Sequence, residues 1–332
     1  MSETVVQRAT ELLEMIEGKW TTQAIGVAAE LGIPDHLARG IDRTALLAAS
    51  IGCDADALER LLRALVSLGL CRQRLDRSFE LTEVGELLRD DEGASLRSWA
   101  IWSARYHWPT WGKLIDSVRS GESARVLAGG ANGYGHLERD RVAAGVFNRG
   151  LGGLTHIVGL ELARRHDFSA AHCVMDVGGG QGQLLAAILE RHRHLCGIVF
   201  DRPHAIETAR RIERCESMAG DFFESIPRQA DVFVMKSILH NWDDAACIAI
   251  LGQCRRAMDS GAALLLVERV LPEAMTGAPD ERPLARSDLN MLVGFSGRER
   301  TLPAFDALLA KSGLAVRACQ PLALGFSLVE AR

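Results

Sequence analysis

The chain has 332 residues, of which 48% are hydrophobic and 24% charged, and its formal net charge is −5. This composition is typical of a globular protein with enough apolar material for about two domains. The mild charge argues against a nucleic-acid or membrane-surface binder. In addition, no apolar run in the sequence approaches the ~18 residues of a transmembrane helix.

The eight cysteines are spread along the chain without a C-x-x-C pair, at positions 53, 71, 173, 196, 215, 247, 254 and 319. Scattered thiols are typical of a reduced protein rather than of a disulfide scaffold. The first 15 residues mix charged and apolar side chains and lack the apolar core of a signal peptide. We therefore expect a cytoplasmic protein that is neither secreted nor held in a membrane.

Over residues 5–165 the apolar side chains recur at helical spacing. One stretch departs from this pattern. Residues 45–68 predict a helix–turn–helix around Gly52, and short strands are predicted at 70–71 and 79–81. This succession is the outline of a winged helix.

The second helix of that motif, 54–68, carries Asp56 and Glu59 against Arg60 and Arg63. A helix that faces DNA phosphates should be clearly basic. We therefore predict that the winged helix is a dimerisation platform. A DNA-binding regulator is the less favoured alternative.

After residue 172, continuous apolar runs alternate with helical segments, which predicts a doubly wound, Rossmann-like α/β domain with a parallel sheet. The last two strands, 314–322 and 326–330, are joined by a loop too short for a crossover helix and should be antiparallel. A polar stretch near 164–169 divides the chain into a helical domain, 1–168, and an α/β domain, 169–332. The predicted parallel strands are Cys173–Val177, Gly197–Phe200, Val232–Met235 and Ala263–Val267.

The sharpest motif, Asp-x-Gly-x-Gly-x-Gly over 176–182, follows a strand and opens a helix. The missing Cβ atoms let a ligand approach the backbone, and the helix N-terminus presents free N–H groups. A dinucleotide motif would need a small residue where Gln183 or Leu185 stands, which disfavours a nicotinamide oxidoreductase. The loop is suited to the amino-acid end of a nucleoside cofactor.

Acidic residues stand at the ends of the next two strands. Asp201 ends the second strand, where a carboxylate can accept both hydroxyls of a ribose, and a cap for the helix near Pro203 is the alternative. Asp221 and Phe222 end the third strand and place a carboxylate beside an aromatic face. These positions predict a binding site for a nucleoside along one edge of the sheet.

The motifs occur in the order of a known family. The chain resembles, over nearly its whole length, the small-molecule S-adenosylmethionine-dependent O-methyltransferases of the plant caffeate and chalcone type and their bacterial antibiotic-pathway relatives. This resemblance implies a homodimer formed through the winged-helix domain and a Rossmann-like methyltransferase domain that serves secondary metabolism. The segments that carry it are 147–150, 176–182, Asp201, 220–222, Lys236-x-x-x-His240-Asn241-Trp242, Glu268 and Gly297-Arg298-Glu299-Arg300-Thr301.

The resemblance also implies how S-adenosylmethionine binds. The implied contacts are Gly178 under the methionine part, Asp201 at the ribose, Asp221 and Phe222 at the adenine, Lys236 as a further contact, and Trp242 stacked on the adenine ring. A core tryptophan is the alternative for Trp242. No metal is expected, because the one metal-like cluster, His192-x-His194-x-Cys196, matches no common zinc spacing.

His240 follows the fourth strand, at the edge where open α/β sheets bind ligands. A phenol has a pKa of about 10, so methyl transfer to its oxygen benefits from a base. We predict that His240 takes the phenolic proton, while Glu268 fixes the tautomer of the ring and stabilises the imidazolium. The resemblance implies that Glu299 supports the same ring from the far side. A structural histidine is the alternative.

The acceptor is the least defined part of the site. The family's acceptor contacts fall on Asn148, Leu151, Asn290 and Met291. Four tryptophans over 99–111 recur at i,i+3 spacing, which suits a helix core or dimer contact as well as a pocket wall. We expect a small hydroxylated aromatic acceptor such as a polyketide, phenazine or phenylpropanoid. N-methylation or another drifted reaction is the alternative.

Overall fold

The computed structural model describes residues 3–90, 93–130, 137, 140–207, 209 and 211–332. In these ranges the helices are α1 (Glu3–Glu30), α2 (Ile33–Ala38), α3 (Thr44–Ile51), α4 (Ala55–Ser67), α5 (Glu83–Glu86), α6 (Arg97–Ile101), α7 (Trp108–Trp111), α8 (Leu114–Ser120), α9 (Ala124–Leu127), α10 (Arg141–Arg165), α11 (Gln183–Arg191), α12 (Pro203–Ile206), α13 (Asp244–Ala257), α14 (Arg282–Phe295) and α15 (Leu302–Lys311). A π-helical turn spans Trp102–His107, and 3-10 turns span Leu239–Asn241, Pro279–Glu281 and Ala323–Gly325.

The strands are β1 (Cys71–Gln73), β2 (Phe79–Leu81), β3 (Cys173–Val177), β4 (Cys196–Asp201), β5 (Cys215–Ala219), β6 (Val232–Lys236), β7 (Ala263–Glu268), β8 (Val270–Leu271), β9 (Arg300–Thr301), β10 (Val316–Pro321) and β11 (Ser327–Ala331). The chain forms two compact units, one of residues 1–109 with 140–154 and one of residues 110–139 with 155–332. The division into domains 1–168 and 169–332 stays a prediction.

In the first unit, α3 and α4 form the expected helix–turn–helix, and β1 pairs antiparallel with β2. Gly52 ends α3 in the left-handed conformation, and the Asp54 carboxylate caps α4 by accepting the N–H of Ala57 at 2.8 Å. On α4, Nη2 of Arg63 lies 3.2 Å from Oε1 of Glu59. This ion pair balances the charge of one of the helix's two arginines. The apolar faces of these elements enclose a core that includes Ile33, Leu47, Leu58, Leu62, Leu65 and Phe79.

The second unit contains a seven-stranded sheet with the order β10-β11-β7-β6-β3-β4-β5. Strands β3 to β7 are parallel, and β10 and β11 are antiparallel, as the short connection between them predicts. From β3 the chain steps outward through β4 to β5, then returns to the other side of β3 with β6. The carboxyl ends of β3, β4 and β6 therefore surround the point where strand order reverses, which is where open α/β sheets bind ligands.

The buried strands separate two apolar cores, one on each face of the sheet. Alternate residues of β3 show this division, since Met175 and Val177 join one core and Val174 joins the other. The four parallel strands predicted with bounds are confirmed, and the third strand, expected to end before Asp221, is β5 at the sheet edge, where three of its five residues are exposed. None of the described helices is both long and apolar enough to span a bilayer. All eight cysteines are free thiols.

Candidate functional site

The glycine loop after β3 is built from left-handed residues. Gly178, Gly180 and Gly182 have φ angles of 75°, 57° and 83°, a region that glycine adopts without a steric penalty. A Cβ on Gly178 would lie 2.4 Å from Cδ1 of Ile238, so the loop has no room for a side chain there. The Gly178 N–H donates to the carbonyl of Phe200 on β4 at 2.7 Å. The loop therefore presents bare backbone at the point where strand order reverses.

Asp201 closes β4 with its carboxylate against this loop. Oδ2 accepts the N–H of Gly180 at 2.8 Å, and Oδ1 accepts the N–H of Arg202 at 2.6 Å. The short helix α12 has no side-chain N-cap bond, so Asp201 does not cap it. A carboxylate has about four lone-pair sites, and the two used here leave capacity for two further donors.

An aromatic group forms beside the loop. Phe222, Phe223 and Trp242 pack edge to face, with ring centroids 4.9 Å apart for Phe223 and Trp242 and 6.3 Å apart for Phe222 and Trp242. A Cβ on Gly178 would lie 3.7 Å from the Phe222 ring, which places this ring next to the glycine loop. Asp221 accepts the N–H of Phe223 at 2.8 Å. The structure thus brings the expected adenine-side residues together.

Two charged side chains of opposite sign lie near the same strand ends. Burial and the charge of Asp201 raise the pKa of Asp176 to about 7. Burial and the charge of Arg269 lower the pKa of Lys236 to about 8. The Lys236 ammonium lies 3.2 Å from Oγ of Ser237. These shifts mean that the charged form of each side chain is disfavoured. A negatively charged ligand group next to Lys236 would favour the protonated lysine.

His240 lies in the 3-10 turn after β6 and is only 6% exposed. Its Nδ1 lies 3.2 Å from Oε1 of Glu299 and 3.7 Å from Oε2 of Glu268. Glu268 closes β7 and Glu299 precedes β9, so three separate segments bring these groups together. Because the Nδ1–H group of the neutral ring donates to Glu299, Nε2 is the nitrogen left to accept a proton.

The electrostatic environment of the ring favours its protonated form. Burial acts to lower the pKa of His240, but the charges of Glu268 and Glu299 raise it above its ordinary value. Burial raises the pKa of Glu268. For Glu299 the effect of burial is outweighed by hydrogen bonds from His240 and Ser287, and its pKa falls. The arrangement is that of a buried base whose cationic form is stabilised by flanking carboxylates.

The two carboxylates divide their roles differently from the expectation. Oε1 of Glu268 accepts the N–H groups of Ile238 and Leu239 at 2.9 and 2.8 Å, and thereby holds the turn that carries His240. The hydrogen bond to Nδ1 comes from Glu299 rather than Glu268. Both carboxylates approach the same nitrogen, Nδ1, and the support of the ring by Glu299 stays a prediction.

Sequence reasoning misses Ser287 on α14. Its hydroxyl donates to Oε1 of Glu299 at 2.6 Å, the same oxygen that contacts the His240 ring. A serine inside a helix is common and does not by itself indicate a functional residue. The signal that could have identified Ser287 is its spacing from two expected acceptor contacts on the same helix. Ser287, Asn290 and Met291 stand at i, i+3 and i+4, so one face of α14 carries both the Glu299 contact and two expected acceptor contacts.

The ligand atoms of His240, Glu268 and Glu299 lie within 4.8 Å of one another, and in the described part of the chain they form the one group suited to a metal ion. The hydrogen bonds to Nδ1 and to Oε1 of Glu268 already occupy part of this donor set. His192 and His194 instead bond backbone carbonyls through Nε2, at 2.7 and 3.1 Å. The absence of a metal stays a prediction.

The four expected acceptor contacts lie in different compact units. Asn148 and Leu151 are half-buried residues one helical turn apart on α10, in the first unit. In the second unit, Met291 is buried on α14, and Oδ1 of Asn290 accepts the indole N–H of Trp111 at 3.3 Å. The structure therefore gives Asn290 a fixed partner.

The tryptophans of 99–111 have unlike surroundings. In the π-helical turn, Trp102 is buried, stacks on Tyr106 with ring centroids 5.5 Å apart, and meets the Phe147 ring edge-on at 4.9 Å. Trp108, by contrast, is 40% exposed. Part of this stripe therefore forms helix core, and a wall role for the others stays a prediction.

Two family models match the chain. The O-methyltransferase domain matches residues 111–315, and the O-methyltransferase dimerisation domain matches residues 13–91. The phenazine O-methyltransferase PhzM of Lysobacter antibioticus is 38% identical over 330 residues, which cover 97% of this chain and 95% of that protein. The phenazine-1-carboxylate N-methyltransferase of Pseudomonas aeruginosa is 29% identical over 324 residues, which cover 95% of each.

A solved structure gives the same result. The O-methyltransferase NcsB1 from neocarzinostatin biosynthesis, in complex with S-adenosylmethionine and 2-hydroxy-5-methyl naphthoic acid, is 35% identical and superposes with a TM-score of 0.73. That comparison covers 94% of this chain and 95% of the other. The chain therefore belongs to the O-methyltransferase family, and it is an S-adenosylmethionine-dependent O-methyltransferase.

Proposed function

We propose that this enzyme methylates a phenolic hydroxyl of an aromatic secondary metabolite, with His240 as the general base. The observation that supports this most strongly is the buried His240 ring, whose Nδ1 is flanked by Glu299 at 3.2 Å and Glu268 at 3.7 Å. A phenol with a pKa of about 10 is almost wholly un-ionised at neutral pH. A histidine made more basic by two carboxylates is suited to take its proton.

Each residue of this group has one task in the proposed reaction. Glu299 accepts the Nδ1–H bond and so leaves Nε2 to receive the phenolic proton. As His240 becomes an imidazolium, the charges of Glu299 and Glu268 stabilise it. Glu268 also fixes the turn through two backbone N–H groups. S-adenosylmethionine supplies the methyl group on a sulfonium, so positioning and the exclusion of water account for the rest of the catalysis.

The chain's own residues fit a nucleoside that carries an amino acid. At Gly178 the backbone is open where a Cβ would collide with Ile238, and Asp201 retains capacity for two hydroxyl donors. The residues that would hold S-adenosylmethionine are Gly178 at the methionine part, Asp201 at the ribose, Asp221 and Phe222 at the adenine, Trp242 stacked on the adenine ring, and Lys236 as a further contact.

The Asp201→Ala enzyme should bind S-adenosylmethionine more weakly by ~1.5–3 kcal/mol, because two charge-assisted hydrogen bonds to the ribose would be lost. Isothermal calorimetry measures this affinity directly. Asp201→Asn is the matched control, since its amide oxygen can still accept the Gly180 N–H and should retain part of the affinity. If the affinity of Asp201→Ala is unchanged, Asp201 does not bind the ribose and only supports the glycine loop.

The names of the relatives support a flat, hydroxylated aromatic acceptor. One acts on a phenazine, and another is bound to a hydroxylated naphthoic acid. We place the acceptor against Asn148, Leu151, Asn290 and Met291, and we place the enzyme in antibiotic or related secondary metabolism. Eight free thiols support a cytoplasmic location.

The test is to incubate the enzyme with S-adenosylmethionine and a panel of hydroxylated phenazines, naphthalenes and polyketide phenols, and to follow the mass of each acceptor. We expect a gain of one methyl group on at least one phenol, with the O-methyl position established by NMR. A panel in which only amines gain a methyl group would contradict the proposal.

N-methylation is the second candidate, because a relative that covers 95% of this chain is named an N-methyltransferase. A neutral aromatic amine has no acidic proton to remove before methyl transfer, so it would depend little on His240. Comparing a hydroxyphenazine with the corresponding aminophenazine in the wild type and in His240→Ala separates the two reactions. Methylation of the amine alone, at equal rates in both enzymes, would favour this candidate.

The enzyme should be a homodimer formed through its N-terminal region. Residues 13–91 match a dimerisation domain, and α1 exposes the apolar side chains Leu12, Leu13, Ile16 and Trp20, each more than half exposed. A contiguous apolar face of this kind is typical of an interface. Light scattering should give about twice the 36.1 kDa of one chain at micromolar concentration. A monomer mass under those conditions would contradict this prediction.

A further inference from the structure

Arg269 directly follows β7, and its guanidinium has no hydrogen-bond partner among the described residues. Its Nε atom is buried without a partner, and no described group accepts a hydrogen bond from Nη1 or Nη2. Neither Nη atom is among the buried polar atoms that lack a partner, so both are accessible to solvent. A guanidinium stays charged in a protein and has five N–H donors, which a half-buried arginine normally pairs. Arg269 therefore has donors available to a ligand.

A second cation lies beside Arg269. Lys236 ends β6, and its register partner on β7 is Val267, two residues before Arg269. The guanidinium carbon of Arg269 lies 4.1 Å from the centroid of the Phe326 ring, and Nζ of Lys236 lies 4.8 Å from the same centroid. Burial lowers the pKa of Lys236, and the charge of Arg269 lowers it further. Two like charges are thus held next to one aromatic ring.

The neighbouring carboxylates do not pair with these cations. Among the described residues, no carboxylate forms an ion pair with Arg269 or Lys236. Glu268 and Glu299 are turned toward Nδ1 of His240, and burial lowers the pKa of Arg269 although both carboxylates act to raise it. An unpaired cation in a half-buried place carries a desolvation cost, which a bound anion would offset.

The two cations lie between the glycine loop and the proposed base. On one side, β6 pairs with β3, whose carboxyl end leads into the glycine loop. On the other side, Arg269 directly follows Glu268, whose Oε2 lies 3.7 Å from Nδ1 of His240. An anionic group bound at this place therefore belongs either to the cofactor or to the methyl acceptor.

We propose that Arg269 binds the carboxylate of a ligand, with the Lys236 ammonium beside it. The planar fork of a guanidinium matches the two oxygens of a carboxylate and can bond both. Two sources share this chemistry, the α-carboxylate of S-adenosylmethionine and a carboxylate on the aromatic acceptor. The second source would narrow the acceptors to hydroxylated aromatic acids, and this part of the inference rests on the proposed function.

Three variants provide the test and its controls. Arg269→Met removes the donors and keeps an apolar chain beside Phe326. Its melting temperature without ligand should be equal to that of the wild type or higher, because no hydrogen bond within the described chain is lost and an unpaired charge is removed. Arg269→Lys keeps the charge without the fork and should retain part of the binding. Arg256→Met removes the same charge from an exposed position on α13 and is the matched control.

Calorimetry compares two pairs of ligands that differ in a carboxylate. The cofactor pair is S-adenosylhomocysteine and decarboxylated S-adenosylhomocysteine. The acceptor pair is 3-hydroxy-2-naphthoate and 2-naphthol, measured on enzyme saturated with S-adenosylhomocysteine. In at least one pair, the wild type and Arg256→Met should prefer the carboxylate by about tenfold or more in affinity. In Arg269→Met this preference should fall by about tenfold, and in Arg269→Lys by about threefold. The pair that responds identifies the source of the carboxylate.

Three results would overturn the inference. These are a wild type without a preference in either pair, a preference that Arg269→Met leaves unchanged in both pairs, and an equal loss of preference in Arg256→Met. If Arg269→Met is unstable, Arg269→Lys provides the same comparison.

The binding measurements keep this inference separate from the proposed function. A preference that is lost in Arg269→Met supports the inference even if no phenol is methylated, a result that contradicts the proposed function alone. Methylation of a phenol by an enzyme that shows no carboxylate preference in either pair overturns the inference alone.

Discussion

The His240→Ala enzyme should turn over a weakly acidic phenol about 10²–10⁴-fold more slowly than the wild type, which is the usual contribution of a positioned general base. Its affinity for S-adenosylmethionine should be nearly unchanged, because the residues proposed to bind the cofactor are untouched. Steady-state kinetics gives the first quantity and calorimetry the second. A large loss of cofactor affinity would instead indicate that the turn after β6 had collapsed.

The acidity of the acceptor provides the control for this prediction. A nitrophenol that is already ionised at neutral pH needs no base, so its methylation should be far less sensitive to His240→Ala. The loss of rate with the weakly acidic phenol, divided by the loss with the nitrophenol, measures the contribution of proton removal separately from that of positioning. If His240→Ala methylates the weakly acidic phenol at the wild-type rate, His240 is not the base and the enzyme works by positioning alone.

The pH dependence follows from the surroundings of the ring. A base is active only when unprotonated, so the rate should rise with pH through the pKa of His240. Because the charges of Glu268 and Glu299 raise that pKa, the rise should lie above the ordinary histidine value of ~6.5. The rise should be absent in His240→Ala. A wild-type rate that does not change between about pH 5.5 and about pH 8, roughly the range in which histidine titrates, would contradict the assignment.

Local patterns were enough to predict most of the sheet. Each of the four parallel strands is a continuous apolar run, which is the pattern of strands buried on both faces, and all four are found. The position of the glycine loop was also predictable, since a glycine-rich segment between a strand and a helix is typical of a loop that holds a ligand at the helix N-terminus. The edge strand β5 reads Cys-Glu-Ser-Met-Ala and lacks that pattern, because an edge strand needs little burial.

That His240, Glu268 and Glu299 lie together was predictable, but the geometry of their contacts was not. His240, Glu268 and Glu299 stand at strand or loop ends, which the sequence shows, and the carboxyl ends of parallel strands meet. The carboxylate oxygen that reaches Nδ1 is determined by side-chain rotamers and by the path of the segment before β9. Neither can be read from the spacing of residues in the sequence. The contact of Ser287 with Glu299 was not predictable for the same reason, because it depends on how α14 packs beside that segment.

Substitutions of Glu268 should separate its two roles, support of the turn and charge near the ring. In Glu268→Ala the N–H groups of Ile238 and Leu239 lose their acceptor. An unpaired buried donor costs ~1–3 kcal/mol, so a loss of about 2–6 kcal/mol in the free energy of unfolding is expected. Denaturant unfolding measures this loss. Glu299→Ala is the matched control, since Glu299 bonds the side chains of His240 and Ser287 and should cost less stability.

Glu268→Gln should keep the fold and change the chemistry. Its amide oxygen can still accept both N–H groups, so the free energy of unfolding should stay close to that of the wild type. Loss of the charge 3.7 Å from Nδ1 lowers the pKa of His240, so the rise of rate with pH should move to lower pH. A less basic ring takes the phenolic proton less readily, so turnover at high pH should fall, but by less than in His240→Ala. If Glu268→Gln is as unstable as Glu268→Ala, or its pH profile is unmoved, Glu268 does not act on His240 in the way its two contacts indicate.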